Sequence, residues 1–78
     1  MPDPLPSLVQ ALIAQALQVP PDQVTPEAGL GSLPQWDSMG HMEIMLQLEM
    51  QFGVEINADT IAQLTSFPAI CERLAGSS

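Results

Sequence analysis

Residues 36–56 read WDSMGHMEIMLQLEMQFGVEI and contain the longest periodic apolar run in the chain. Turning each residue by about 100° from Met39 gathers His41, Ile44, Met45, Leu48 and Phe52 into one sector roughly 100° wide, the core-facing stripe of an amphipathic helix. The run begins behind Asp37, a residue type that caps first-turn amides, and stops at Gly53, which is suited to the left-handed geometry beyond a helix end. A helix is therefore predicted over 38–52. The same rotation puts Met39, Met42, Leu46 and Met50 on the opposite side, flanked by Glu43 and Glu49. An ordinary surface helix does not carry that apolar strip. Methionine is flexible and polarisable, which suits a surface that repacks against several partners. Two readings stand: a docking stripe with Leu46 as its exposed anchor, or a face partly covered by the preceding loop, with Met42 as the buried member.

Upstream, Leu8, Val9, Leu12, Ile13, Ala16 and Leu17 recur at three- and four-residue steps behind a proline and a candidate serine cap at Ser7, which predicts a helix over 7–17. Residues 18–37 carry four prolines and two glycines and read as a loop, with Val24, Leu30, Leu33 and Trp36 available to pin it to the core. So long a loop in so small a chain needs justification, because such loops are either functional or wrongly assigned. Downstream, Asn57 caps a short helix over 57–63. A last helix over 66–75 lines up Phe67, Ile70, Cys71 and Leu74, tolerates Pro68 in its first turn and ends at Gly76. The brief alternation in GVEI, 53–56, is too short to make a strand. The prediction is an all-α four-helix bundle, a single domain over 1–78, with a long first loop and a short third helix.

Composition narrows the function. Nine acidic residues stand against one arginine and no lysine, a formal charge of −8, which opposes nucleic acid and anionic membranes and favours basic protein partners. The opening residues lack the pattern of a signal peptide, and no segment approaches the roughly 20 apolar residues that span a bilayer, so a cytoplasmic, monomeric protein is expected. Cys71 is the sole cysteine and falls on an apolar position, where it reads as a core residue and not a reactive one.

Ser38 raises the chemical question. A serine hydrolase needs a base and an oxyanion hole, yet the only histidine, His41, falls on the core sector and no G-x-S-x-G turn is present. One histidine, one cysteine and scattered acids do not form a metal site. A helix start does present unpaired amides and a positive dipole end, so it suits an anion such as a phosphate ester on Ser38. Asp37 can cap that helix and can help a transferase place its magnesium. The plain alternative is a helix start with no chemistry. His41 reads as a residue beneath the loop, or as a contact for whatever Ser38 carries. Trp36 reads as an anchor for the loop.

Residues 36–56 resemble the signature of acyl carrier proteins: an Asp-Ser-aliphatic triplet opening a helix, then a glutamate, spaced leucines, a phenylalanine and an acidic-aliphatic exit. The resemblance extends over nearly the whole chain and implies a four-helix bundle with a long first loop and a short third helix. It implies that Ser38 bears covalent 4′-phosphopantetheine derived from coenzyme A, with Asp37 the preceding acid and Met39 in the place of the usual leucine. Glu43 and Glu49 fall on acidic recognition positions, and Met39, Met42, Leu46 and Met50 complete the partner-binding face. The implied protein is a non-catalytic carrier of an acyl or aminoacyl thioester, in fatty acid or secondary-metabolite biosynthesis. Its implied partners are a phosphopantetheinyl transferase, a loading ligase, and acyl-processing enzymes with basic patches. The alternative is an unmodified helical interaction module of the same fold.

Departures from that pattern are informative. Gly40 stands where an acid is frequent, and Met50 and Gln51 occupy places that are often glutamate, so the acidic strip is thinner and more apolar than in a housekeeping carrier. A specialised carrier, whose partner reads shape more than charge, is the expectation. Gly40 costs up to about 1 kcal/mol of helix propensity relative to alanine, and room for an arm or a partner backbone is the reason suggested for it.

Overall fold

The computed structural model describes residues 4–76. Four α-helices follow one another: α1, Leu5–Leu17; α2, Ser38–Phe52; α3, Ala58–Gln63; and α4, Phe67–Gly76, with a 3₁₀ turn at Pro21–Gln23 in the first loop. Among the described residues the extended pairing is limited to one isolated antiparallel bridge between Gly29 and Ser66. The fold is all-α, as the periodicity predicts. No helix among these residues is long and apolar enough to cross a membrane.

Prolines, not a serine, start α1. Pro4 stands at the cap in helical geometry and Leu8 N–H donates to its carbonyl at 3.0 Å, so Ser7 lies inside the helix and makes no cap. A first turn tolerates proline because its amides have no partner within the helix to lose. Val9, Leu12, Ile13 and Leu17 of α1 meet Ile44, Met45 and Leu48 of α2 and Ile70 and Leu74 of α4 in one apolar core. Phe52 departs from its predicted place in that core. It is 37% exposed, because α2 ends there in a left-handed Gly53 (φ 69°) and the core position passes to Val54 beyond the turn. The turn is closed by Gly53 N–H to the Glu49 carbonyl at 3.1 Å and Val54 N–H to the Leu48 carbonyl at 3.4 Å.

The first loop is strapped down. Gln10 on α1 donates from Nε2 to the carbonyls of Pro21 (2.6 Å) and Val24 (3.2 Å), while Val24, Ala28 and Trp36 are buried and Leu33 is half-buried. Leu30 does not serve as a hydrophobic pin, since its side chain is exposed. Its backbone does the work instead: Leu30 N–H donates to the Thr65 carbonyl and Phe67 N–H to the Ala28 carbonyl, each at 2.8 Å. The loop is thus held to the α3–α4 connection. α3 opens with a reciprocal capping box, Thr60 N–H to Asn57 Oδ1 at 3.0 Å and Asn57 N–H to Thr60 Oγ1 at 2.8 Å. Ser66 caps α4, its Oγ accepting from Ala69 N–H at 3.2 Å, and Cys71 on that helix is half-buried against the core.

Trp36 and His41 form the polar centre of the bundle. The fully buried indole donates from Nε1 to His41 Nδ1 at 3.1 Å, and the two rings stack with centroids 6.3 Å apart. An indole nitrogen can only donate, so Nδ1 must accept. His41 Nε2 therefore carries the proton and donates to the Ile61 carbonyl at 2.8 Å. Only the neutral Nε2-protonated tautomer satisfies both contacts. Replacing His41 with phenylalanine keeps the bulk but orphans a buried N–H and a carbonyl. We expect His41→Phe to lower the unfolding free energy by about 2–4 kcal/mol. Urea denaturation followed by circular dichroism checks this, and an unchanged midpoint would contradict the proposed role of the bridge.

Candidate functional site

Ser38 is the first residue of α2 and is exposed. Asp37 before it is extended (φ −101°, ψ −166°), and its Oδ1 accepts from Gly40 N–H at 2.9 Å while its carbonyl accepts from His41 N–H at 2.8 Å. The carboxylate thereby meets one of the amides that a helix start leaves without a partner and complements the positive end of the helix dipole. Burial of Trp36 on one side and this cap on the other fix the position of the exposed serine at the start of α2.

A cleft of about 350 Å³ opens beside Ser38, with Met42 from α2, Ile61 and Ala62 from α3, and Leu30 and Thr65 from the loops as its walls. His41 also lines it, yet both its ring nitrogens are engaged by Trp36 and Ile61, so it offers no lone pair to the Ser38 hydroxyl. Hydrolase chemistry therefore has no base at this serine. A larger cleft of about 430 Å³ lies elsewhere, among Pro6, Gln10, Val24, Pro26, Phe67 and Cys71, and its walls hold no acid or histidine that would give it chemistry.

The outer face of α2 is open. Met39 is 81%, Met50 70%, Met42 48% and Leu46 46% exposed, with Glu43 and Glu49 exposed beside them. Met42 is thus not the buried member of the stripe. The first loop bonds to the α3–α4 connection and does not fold over this face, which leaves Met42 at the rim of the cleft.

Gly40 has a different reason from the one its sequence suggests. A Cβ there would collide with the Gln35 carbonyl oxygen and come within 2.7 Å of Leu17 Cδ2. The missing side chain makes room for the chain's own loop and α1. Nothing in the sequence marks this contact, nor the meeting of Ser38 with Ile61 and Ala62, because the partners lie on separate elements.

An exposed, capped serine beside an apolar cleft, with no free base, suits a group-receiving site better than a group-transforming one. Similarity to known proteins gives that class a family. The family model described as "Phosphopantetheine attachment site" matches residues 7–74, and the chain belongs to this family, whose members bear covalently attached 4′-phosphopantetheine. Over 48 residues it is 42% identical to an acyl carrier protein of Thermosynechococcus vestitus, a match covering 62% of this chain and 59% of the relative. Acyl carrier proteins from two strains of Helicobacter pylori are 46% identical over 48 residues, covering 62% of this chain and 62% of each relative. The chain thus spans about three fifths of the length of these curated relatives.

Gly40→Ala separates steric from propensity effects. Propensity favours alanine by up to about 1 kcal/mol, whereas the clash involves a backbone carbonyl that cannot swing aside. We expect net destabilisation of about 1–3 kcal/mol in urea titrations. A stabilised variant would show that the loop yields at no cost.

Proposed function

We propose that Ser38 is the residue to which 4′-phosphopantetheine is esterified, and that the protein is an acyl carrier that catalyses nothing alone. The observation that carries this reading is the placement of an exposed Ser38 at the first position of α2, directly behind the capping Asp37, within the segment that matches the attachment family. The group fits the residues present. A phosphodiester on Ser38 would sit at the positive end of α2, near amides that favour an anion, and the adjoining cleft has apolar walls in Met42, Ile61, Ala62 and Leu30. Once attached, the group supplies a thiol on a long flexible arm for an acyl or aminoacyl thioester. Ser38 holds the tether. Asp37 keeps the helix start in place and is the contact for the transferase's magnesium.

Docking falls to the outer face of α2. Met39, Met42, Leu46 and Met50 present an apolar strip edged by Glu43 and Glu49, and its complement is a shallow apolar patch bordered by lysine or arginine. The phosphopantetheinyl transferase, a loading ligase and acyl-processing enzymes are the partners of this reading. Tethering raises the local concentration of cargo at a docked enzyme, so the contact need not be tight and the carrier can leave after each step. Coenzyme A supplies the arm, and a cytoplasmic location is part of this reading.

Two measurements test the proposal. Incubating the apo protein with coenzyme A and a broad-specificity phosphopantetheinyl transferase should add the mass of one arm, and Ser38→Ala should abolish the gain. No gain where a control carrier is modified would leave an unmodified helical interaction module. Separately, Leu46→Ser and Glu43→Lys should each slow transfer to or from a cognate enzyme by roughly three- to thirtyfold, with unchanged circular dichroism. Wild-type kinetics in both variants would remove the docking face.

A further inference from the structure

The methionines of α2 divide sharply. Met39, Met42 and Met50 are 81%, 48% and 70% exposed on the outer face, whereas Met45 is 0% exposed in the core of the same helix. One face therefore presents three oxidisable thioethers, and the first of them adjoins Ser38. Leu46, the apolar member among them that cannot be oxidised, shows that a plain aliphatic side chain is compatible with this surface.

We propose that Met39, Met42 and Met50 form a reversible oxidation site, at which conversion to sulfoxide releases the carrier from its partners without unfolding it. The inference rests on the docking face described above. Hydrogen peroxide transfers one oxygen atom to the thioether sulfur: the O–O bond breaks, the S–O bond forms, sulfur loses two electrons and water leaves. A dithiol reductase of the methionine sulfoxide class reverses the change, removing the oxygen as water and ending as a disulfide.

The physical effect follows from the surface. An apolar, adaptable side chain becomes polar and chiral, with a strong acceptor oxygen. Pressed against an apolar partner patch, that oxygen loses its water and gains no donor, a cost that opposes binding. Met42 adds a second effect, because it walls the cleft beside Ser38 and its sulfoxide would set a polar group at the mouth of that cleft. The fold has no corresponding reason to fail. Its core methionine is shielded, and the Trp36–His41–Ile61 bridge contains no sulfur.

The test uses the apo protein, treated with hydrogen peroxide for increasing times, quenched with catalase and then exposed to dithiothreitol so that any Cys71 disulfide returns to thiol. Peptide mapping should find sulfoxide first at Met39 and Met50, then at Met42, with Met45 roughly tenfold slower or more, in line with its burial. Arm addition to Ser38 by a phosphopantetheinyl transferase should then fall roughly tenfold in kcat/KM. Circular dichroism should be unchanged, and methionine sulfoxide reductases should restore the rate. The variant combining Met39→Leu, Met42→Leu and Met50→Leu, whatever its own starting rate, should show the same rate before and after peroxide. Oxidation of Met45 in step with Met39, an undiminished rate on mapped sulfoxide, loss of helix on oxidation, or equal peroxide sensitivity in the leucine variant would each overturn the inference while leaving the carrier reading intact. Failure of the untreated protein to accept an arm would overturn both.

Discussion

One imidazole ties three pieces of this chain together. His41 sits on α2, accepts from the indole of Trp36 at the end of the long loop, and donates to the Ile61 carbonyl on α3. The indole bond is buried, so the Trp36 N–H would be left orphaned if the ring were lost, while the bond to the Ile61 carbonyl is part-buried at the edge of the cleft. Among the described residues no buried side-chain nitrogen or oxygen lacks a partner, so this small core tolerates its polar centre by satisfying it completely. Because Trp36 immediately precedes Asp37 and Ser38, whatever fixes the indole also fixes the start of α2. The site thus inherits its position from the core.

The second helix serves two surfaces at once. Its inner side contributes Ile44, Met45 and Leu48 to the core, and its outer side leaves methionine and leucine in solvent. An exposed apolar strip on so small a domain is an association hazard. The charge of −8 offsets it, because copies of the chain repel one another while a basic surface is attracted. In the docking reading proposed above, the charges that keep copies of the chain apart are also those that would attract a complementary basic surface.

Much of the bundle was legible because its signals are local. The 3.6-residue period, the caps at Asp37 and Asn57 and the left-handed Gly53 each act within one turn of helix, so α2 and α3 could be read from neighbouring residues. Readings failed where the deciding partner lay far along the chain. Leu30 reads as a pin, but what anchors its segment is a backbone hydrogen bond to residue 65. Phe52 has the correct phase for the core, yet the chain turns away at the next residue and Val54 takes its place. Met42 reads as a residue the loop could cover, but the loop bonds to residue 65 across the cleft and leaves Met42 exposed at its rim. Ser7 reads as a cap, but α1 already begins at Leu5 behind Pro4.

By itself, then, the sequence determined the helical class, the start of α2, the serine and acid at that start, and the membership in the carrier family that their pattern implies. Tertiary structure alone decided why residue 40 has no side chain: the Gln35 carbonyl and Leu17 fill the space a Cβ would need. It also decided that His41 faces inward with both nitrogens engaged, and that Ser38 opens onto a cleft shared with α3. Periodicity and capping depend on residues three or four apart. Close packing and the pairing of buried polar groups depend on segments that meet only after the chain has folded.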